Sequence, residues 1–374
     1  MAPAAAMPGP TRCATPAIAT PLAVPPSWPP TLVVVIDTEE EFDWSAPFDA
    51  ASTQVANIAE QPFAQELFDA HGVVPTYAVD YPVVASDAAV ATLAGFLADG
   101  RCEIGAHLHP WVTPPHQGPI DAFHSYGGNL PAALEHAKLA TLIDAVRGRF
   151  GVQPRTFRAG RYGIGRDTPA MLCALGIETD VSVVPGFDFS ADGGPDFRAA
   201  PDTPYRTPEG LCEMPDSAVF LGRLAARGPA ILERASMPGV RHLRLGGILA
   251  RLGLLERLRL SPEGHGLADM IRQVRRSHAA GARLFMLSYH SSSLLPGGAP
   301  YVRTPDERTD FLRTLNGFLH FFIDELGGRA DTASRVAAAL ARAEMDRRTE
   351  RSIDSPLAPS GGICPRAPSG GRGA

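Results

Sequence analysis

Residues 33–36 are four consecutive β-branched apolar residues, and a run of acidic side chains follows them at once. A continuous apolar run is typical of a strand that is buried on both faces of a parallel sheet. Carboxylates at the end of such a strand are costly to bury unless a positive charge lies beside them. In parallel α/β sheets, active sites form at the carboxyl ends of the strands. We therefore expect a metal or acid–base centre at the end of this first strand, in preference to a solvated acidic loop.

The alternation of apolar strands with amphipathic helices continues along the chain. We predict further strands over residues 73–79, 102–106, 155–159, 177–184 and 283–288. We predict helices, from the helical spacing of apolar residues, over residues 53–70, 87–99, 131–150, 167–175, 266–279 and 306–326. This order predicts an α/β fold, either a (β/α) barrel or a doubly wound sheet.

The two ends of the chain have compositions that cannot bury a core. Residues 1–30 are rich in Pro and Ala with almost no charge, and residues 349–374 contain two Ser-Gly-Gly triplets. We predict disorder in both segments. Residues 31–348 form one predicted domain, in which Pro, Gly and Asp interrupt the strand–helix order between 185 and 262. We interpret that stretch as an inserted helical or irregular segment beside the main sheet.

Composition argues against several classes of protein. The net charge of −6 is not that of a general nucleic-acid binder. No stretch reaches the roughly 18 apolar residues that a membrane-spanning helix needs. The five cysteines are scattered and lack metal-finger spacing, which predicts reduced thiols and a cytoplasmic location. Nothing in the sequence specifies an oligomeric state.

Residues 241–260 carry leucines at helical spacing together with several arginines. We interpret this segment as an ordinary packing helix whose arginines are solvated. The weaker alternative is that its basic face contacts a membrane surface or a lipid-linked substrate.

Chemically active side chains cluster where the predicted strands end. They are Asp37, Glu39, His107, His109, Arg158, Arg161, Asp180 and His290. Residues two apart on a strand face the same side, so Asp37 and Glu39 can point into one site. The same holds for His107 and His109 if their strand extends that far. Two imidazoles and a carboxylate are a common set of ligands for a divalent metal, with positions left for water and substrate.

Four short motifs lie in order at these strand ends. They are Val-Ile-Asp-Thr-Glu at 35–39, Glu-Ile-Gly-Ala-His at 103–107, Phe-Arg-Ala-Gly-Arg-Tyr-Gly at 157–163 and Leu-Ser-Tyr-His at 287–290. Together they resemble the motifs of the NodB-type polysaccharide deacetylases, which are carbohydrate esterases with an incomplete (β/α) barrel. Thr38 and Trp111 stand where that family has a second acid and a second histidine. The closest likeness is to a divergent, WalW-like subgroup with the sequence His-x-His-Pro-Trp.

The resemblance implies metal-assisted removal of N-acetyl groups from an amino-sugar-containing polysaccharide or glycan. It makes Asp37 the general base and Glu39 the metal carboxylate, although the sequence leaves open which of the two binds the ion. His109 substitutes for the missing second histidine and completes the ligand set with His107. Zinc is the divalent ion that we expect at this site.

The same resemblance implies roles for residues around the metal. Arg158 braces the base carboxylate, a role that Arg161 could also fill, and His290 donates a proton to the leaving amine. Asp180 lies in a position to orient His290. We expect the substrate to be contacted by Trp44, Trp111, Arg161 and Tyr162.

Three alternatives to a glycan deacetylase stay open. The first is hydrolysis of a small cyclic amide, which a mouth crowded by Trp44, Trp111 and Tyr301 would favour. The second is a carbohydrate-binding barrel that has lost its metal, which the altered positions Thr38 and Trp111 suggest. The third is a structural partner in glycan export or assembly, with residues 241–260 as the interface.

Overall fold

The computed structural model describes residues 14–353, apart from 229, 232–233, 235–248, 250–251 and 253. Its strands are β1 (Thr20–Pro21), β2 (Thr31–Thr38), β3 (Thr76–Val79), β4 (Glu103–Leu108), β5 (Thr156–Ala159), β6 (Thr179–Asp180), β7 (Tyr205–Arg206), β8 (Cys212–Glu213), β9 (Ala218–Leu221), β10 (Glu256–Arg259), β11 (Leu284–His290) and β12 (Arg329–Ala330). Its α-helices are α1 (Gln61–Ala70), α2 (Tyr81–Ala85), α3 (Asp87–Ala98), α4 (Ala132–Phe150), α5 (Thr168–Ala174), α6 (Leu267–Ala279), α7 (Pro305–His320) and α8 (Ala333–Ile353). None of the described helices is long and apolar enough to cross a membrane.

One large sheet organises the molecule. Its strand order is β1-β7-β8-β6-β5-β4-β3-β2-β11, with β12 paired to the start of β2. The strands from β11 through β2 to β6 and β8 are parallel, whereas β7, near the far edge, is antiparallel to both of its neighbours, β8 and β1. Helices connect most of the parallel strands. The predicted α/β class is therefore confirmed.

The sheet curves into an incomplete barrel, and single backbone hydrogen bonds bridge the opening between β6 and β11. Asp216 N donates to Val183 O at 2.8 Å, Leu260 N donates to Ser217 O at 2.9 Å, and Ser288 N donates to Leu260 O at 3.1 Å. Two extended segments, 214–217 and 260–263, thus lie where a closed barrel would have further strands. Both segments end beside the carboxyl ends of β2 and β11.

Strand β2 lies at the centre of the core, and all eight of its residues are buried. Leu32, Val34 and Ile36 pack in the cluster that the surrounding helices cover, whereas Val33 and Val35 pack in a second, smaller cluster. This alternation follows from the two-residue period of a strand. Residues 37 and 39 continue the line of Val33 and Val35, so their carboxylates lie on the inner side of the barrel.

Several segments differ from our expectations. We expected residues 14–30 to belong to a disordered leader, but β1 pairs with β7 and Leu22 is buried in the core. Helix α8 follows the predicted last helix, and it was not predicted. Its side chains alternate poorly between polar and apolar faces, so the sequence lacks the periodicity that marks other helices.

The inserted segment contains an antiparallel hairpin of β9 and β10. The hairpin includes Glu256–Arg259, which we expected to be the end of an amphipathic helix. Residues 241–248, on which the packing and membrane interpretations also rest, lie outside the described residues. The overall division into leader, domain and tail stays a prediction.

Candidate metal centre

Glu39, His107 and His109 converge on one point at the carboxyl ends of β2 and β4. Glu39 Oε2 lies 3.3 Å from both His107 Nε2 and His109 Nε2, and these two nitrogens are 3.0 Å apart. All three residues are at most 2% exposed. Each offers one ligand atom to a common position that could hold a metal ion. The predicted ligand set is therefore brought together.

The remaining nitrogens of the two histidines fix their tautomers. His107 Nδ1 lies 3.0 Å from Arg158 O, and His109 Nδ1 lies 2.7 Å from Glu40 Oε2. Both partners only accept hydrogen bonds, so Nδ1 carries the hydrogen in each ring. In the neutral rings, two Nε2 lone pairs and a carboxylate then face one another, which is unfavourable without a cation between them. Glu39 Oε1 is also buried without a hydrogen-bond partner among the described residues. These donors fit a divalent metal.

Glu40 holds His109 from behind. Its Oε1 accepts a hydrogen bond from Trp111 Nε1 at 2.7 Å, and the Trp111 ring stacks on His109 with centroids 4.1 Å apart.

Asp80 lies beside Glu40. Burial, together with the neighbouring Glu40 carboxylate, raises the pKa of Asp80, so Glu40 and Asp80 together carry a single negative charge. Glu40, Asp80 and His109 could also group around an ion. However, Glu40 and Asp80 are fully buried, and neither lines the cavity that lies beside Glu39, His107 and His109.

Trp111 does not line the cavity, so the expectation that it contacts substrate is corrected. It is only 2% exposed because its indole fills the space behind His109. Trp111 therefore packs behind the candidate ligand His109.

Asp37 and Arg158 form a buried ion pair beside the three candidate ligands. Arg158 Nε lies 2.8 Å from Asp37 Oδ1, and Arg158 itself is fully buried. Its Nη2 lies 3.2 Å from Asp216 Oδ2, so the guanidinium is held between two carboxylates. Burial acts to raise the pKa of Asp37, but the nearby positive charges, that of Arg158 first, hold it below its ordinary value. Asp37 is therefore ionised and able to accept a proton.

His290, at the end of β11, lies on the opposite side of Asp37. Its Nε2 is 3.8 Å from Asp37 Oδ2, and its Nδ1 donates to Glu263 Oε2 at 3.0 Å. Burial acts to lower the pKa of His290, but the carboxylates of Glu263, Glu39 and Asp37 outweigh that effect and raise it to about 9. His290 is therefore protonated at neutral pH.

Asp180 does not orient His290, and that prediction is corrected. Its carboxylate accepts a hydrogen bond from the backbone N–H of Ser182 at 3.1 Å and another from the Ser182 hydroxyl. It also lies beside Glu213, and the two acids are buried together beneath the site. Glu263 occupies the place that we had expected for Asp180, because the segment after β10 reaches the end of β11.

The site opens into a cavity of about 530 Å³. Its wall combines the catalytic candidates with aromatic side chains, namely Phe42, Trp44, Phe48, Tyr126, Tyr162, Phe187, Phe189 and Tyr301. Trp44 is 42% exposed at the mouth, and its ring meets His290 edge-on at 4.8 Å. Tyr301 lies 6.1 Å from Trp44, also edge-on. The cavity is therefore suited to a ring-shaped substrate.

Arg161 and Tyr162 line the cavity with unusual backbone angles. Their φ values are 53° and 60°, in the left-handed region that non-glycine residues seldom occupy. Arg161 stacks on Tyr126 at 4.1 Å and donates to the Ser125 hydroxyl at 2.5 Å. Because Arg161 contacts these residues, Arg158 and not Arg161 is the arginine that pairs with Asp37, the predicted base.

Glu40, Asp216 and Glu263 were not predicted as site residues. Glu40 belongs to the acidic run after β2. Because side chains in a strand alternate between its two faces, Glu40 was expected to point away from the face that carries Asp37 and Glu39. Asp216 and Glu263 lie in the irregular stretch 185–262 or just after it, where no periodicity marks a strand end. Buried carboxylates next to cationic residues would have been the only signal for them.

Known proteins resemble this chain in fold. No family model matches the sequence, and no curated protein matches it either. A proposed polysaccharide deacetylase from Mycobacterium smegmatis is 17% identical, with a TM-score of 0.48 over 94% of this chain and 100% of that one. The Puue allantoinase is 14% identical, with a TM-score of 0.49 over 84% of this chain and 93% of that one. A CE4 family pseudoenzyme from Bacillus anthracis is 10% identical, with a TM-score of 0.40 over 84% and 66% of the two chains. These similarities concern fold alone.

Proposed function

We propose that the protein is a metal-dependent hydrolase that removes N-acetyl groups from an amino-sugar-containing polysaccharide or glycan. One observation carries the proposal: the three candidate ligands Glu39, His107 and His109 face the same cavity as an ionised carboxylate and a protonated imidazole. A base and an acid on either side of a metal are the parts that amide hydrolysis requires.

When bound, a divalent ion, for which we expect zinc, would polarise the amide carbonyl and acidify the attacking water. Asp37 takes a proton from that water, because Arg158 keeps its carboxylate ionised. The resulting hydroxyl adds to the acyl carbon. His290 gives its proton to the amide nitrogen, and the C–N bond breaks to yield acetate and a free amine. Glu263 holds the ring of His290 in place through Nδ1.

Substrate contacts are proposed for the residues that face the cavity. Trp44 at the mouth offers a ring face on which a sugar can stack. Tyr162 and Arg161 also line the cavity, with polar ends that can bind hydroxyl groups. Membership of the WalW-like subgroup and a cytoplasmic location stay predictions, the second supported by the free thiols of Cys102, Cys173 and Cys212.

Acetate release from zinc-loaded protein and N-acetylglucosamine oligomers tests this proposal. We expect Asp37→Asn and His290→Asn to lower kcat/KM by about 10²- to 10⁴-fold, because each removes one proton transfer. His320→Asn is the matched control, since His320 is exposed on α7 and pairs with Asp324 outside the cavity. Equal rates for the wild type and both site variants would contradict the proposal.

A second candidate is hydrolysis of a small cyclic amide. It is favoured by the aromatic side chains at the mouth, where Trp44 lies close to both His290 and Tyr301. Ring opening of hydantoin, followed by its ultraviolet absorbance, tests this candidate. Activity on hydantoin without acetate release from the oligomers would favour the second candidate over the first.

A further inference from the structure

Two arginines on β10 project into the cavity and have no part in the proposed proton transfers. Arg257 and Arg259 are two residues apart on an extended strand, so their side chains lie on the same face. Both line the cavity together with the metal ligands. The hairpin that carries them lies in the insertion, outside the motifs that predicted the rest of the site.

Arg257 has little to neutralise its charge. Its Nη1 donates to Gly186 O at 2.7 Å, and its guanidinium lies 3.6 Å over the Phe187 ring. It forms no ion pair with any residue in the described part of the chain. Burial lowers the pKa of Arg257, and the charge of Asp188 offsets that effect only in part, so Arg257 is a cation without a sufficient partner.

Arg259 is more deeply placed and only weakly paired. Its Nη2 lies 3.4 Å from Glu263 Oε2, but that carboxylate already accepts hydrogen bonds from His290 and from the Ser293 hydroxyl at 2.6 Å. Most of its five N–H donors therefore remain available. Asp37, the acid next to Glu263 in the wall, is already engaged by Arg158.

Arg259 lies near the ion pair of Asp37 and Arg158. The guanidinium carbon of Arg158 lies 5.0 Å from the centroid of the Tyr162 ring, and the guanidinium carbon of Arg259 lies 5.7 Å from the same centroid. The two guanidinium carbons are therefore no more than about 11 Å apart. One sugar unit with its substituents can span a distance within that limit, so a group bound by Arg259 can belong to the same unit that reaches the Asp37–Arg158 pair.

We propose that Arg257 and Arg259 bind an oxyanion, a carboxylate or a phosphate, on the N-acylated substrate. The planar donor fork of arginine matches both groups, and a cation in a partly buried site binds an anion more strongly than an exposed one does. This inference rests on the proposed function and narrows it: the substrate is an acidic N-acetyl sugar or an acidic glycan unit, and neutral chitin-like chains are poorer substrates.

Binding to an Asp37→Asn background, in which hydrolysis is blocked, tests the inference by calorimetry. The probes are N-acetylmuramic acid for a carboxylate, N-acetylglucosamine 6-phosphate for a phosphate, and neutral N-acetylglucosamine. We expect at least one anionic probe to bind about 10- to 100-fold more tightly than the neutral sugar, as for hydrogen bonds to a charged group. The anionic probe that binds more tightly identifies the oxyanion.

Variants of Arg257 and Arg259 then test whether these two arginines hold the anion. Arg257→Gln and Arg259→Gln should each remove about 10-fold or more of that preference, and Arg→Lys at either position should restore part of it because the charge returns without the fork. Arg313→Gln is the matched control, since it removes one positive charge from an exposed ion pair on α7. Melting temperatures identify any variant that fails to fold, and the lysine variants then decide the outcome.

The outcomes separate this inference from the proposed function. In one outcome, anion binding depends on both arginines, but the zinc-loaded wild type releases acetate from none of the probes. That result supports the anion site and contradicts the proposed deacetylase activity. Acetate release with equal affinity for neutral and anionic sugars keeps the deacetylase and overturns the anion site. Anion binding that persists in the Arg257→Gln and Arg259→Gln variants also overturns it.

Discussion

The side chains around the candidate metal centre divide into those that face the cavity and those that hold them. His290 faces the cavity, and Glu263, which also lies in the cavity wall, accepts hydrogen bonds from both its backbone N–H and its Nδ1. Among the charges that raise the pKa of His290, that of Glu263 is the largest, ahead of those of Glu39 and Asp37. Glu263 thus both orients the proposed acid and favours its protonated form.

Replacing Glu263 with Gln should therefore shift the pH dependence of the reaction. The acid form of His290 is present below its pKa of about 9 and is lost as the pH rises through that value. Without the Glu263 charge, the pKa falls toward the ordinary value of 6.5 and the alkaline limb of kcat/KM moves to lower pH. A pH profile of acetate release measures this shift. An alkaline limb at the same pH in both proteins would show that Glu263 does not raise the pKa of the proposed acid, His290.

Trp111 offers a second test at the scale of single residues. Trp111→Phe keeps the ring stacked on His109 but removes the donor to Glu40, so the hydrogen bond that orients His109 is weakened. Zinc affinity, measured by competition with a chelating dye, should fall about 10- to 100-fold. Trp44→Phe is the control, because Trp44 lies at the mouth, where its ring contacts His290 and Tyr301. An unchanged affinity in Trp111→Phe would contradict the supporting role.

Among the elements, α4 carries a buried acid that has no part in the site. Glu135, in the first turn of the helix, is 4% exposed and accepts a hydrogen bond from the Thr168 hydroxyl. Burial raises its pKa from 4.5 to about 7. The folded state therefore prefers the protonated form, and the charged form weakens folding.

The consequence is a stability that falls as pH rises from about 4.5 to about 7. Glu135→Gln keeps an acceptor for Thr168 and abolishes the charge, so it should stabilise the protein at pH 8 by up to about 3 kcal/mol and have little effect at pH 4.5. Urea denaturation of both proteins at the two pH values measures the difference. A gain of equal size at both values would mean that the charge is not its cause.

The elements also show how far the sequence could predict this structure. Strand β2 and the helices around it follow from residues whose apolar spacing is regular, and the candidate metal ligands follow from their place at the strand ends. The hairpin of β9 and β10 could not be predicted, because Pro and Gly interrupt 185–262 and the strands there are short. The arginines of β10 and Glu263 reach the site through that hairpin and the segment after it, so sequence spacing does not place them.

At the scale of the whole molecule, an incomplete barrel explains the composition of the site. The parallel strands β2, β4, β5 and β11 deliver Asp37, His107, Arg158 and His290 to one end. The opening of the barrel is filled by two extended segments that contribute Asp216 and Glu263. The motif residues come from the regular part of the barrel, whereas the residues that hold or complete them come from its irregular part.

The central claim is that Glu39, His107 and His109 bind a divalent ion. Elemental analysis of purified protein, after zinc loading and dialysis, tests it most directly. We predict about one zinc per chain in the wild type and in the His320→Ala control, and almost none in Glu39→Gln or His107→Ala, with acetate release lost in parallel. Wild-type protein that retains no zinc, or ligand variants that retain as much as the wild type, would contradict the claim.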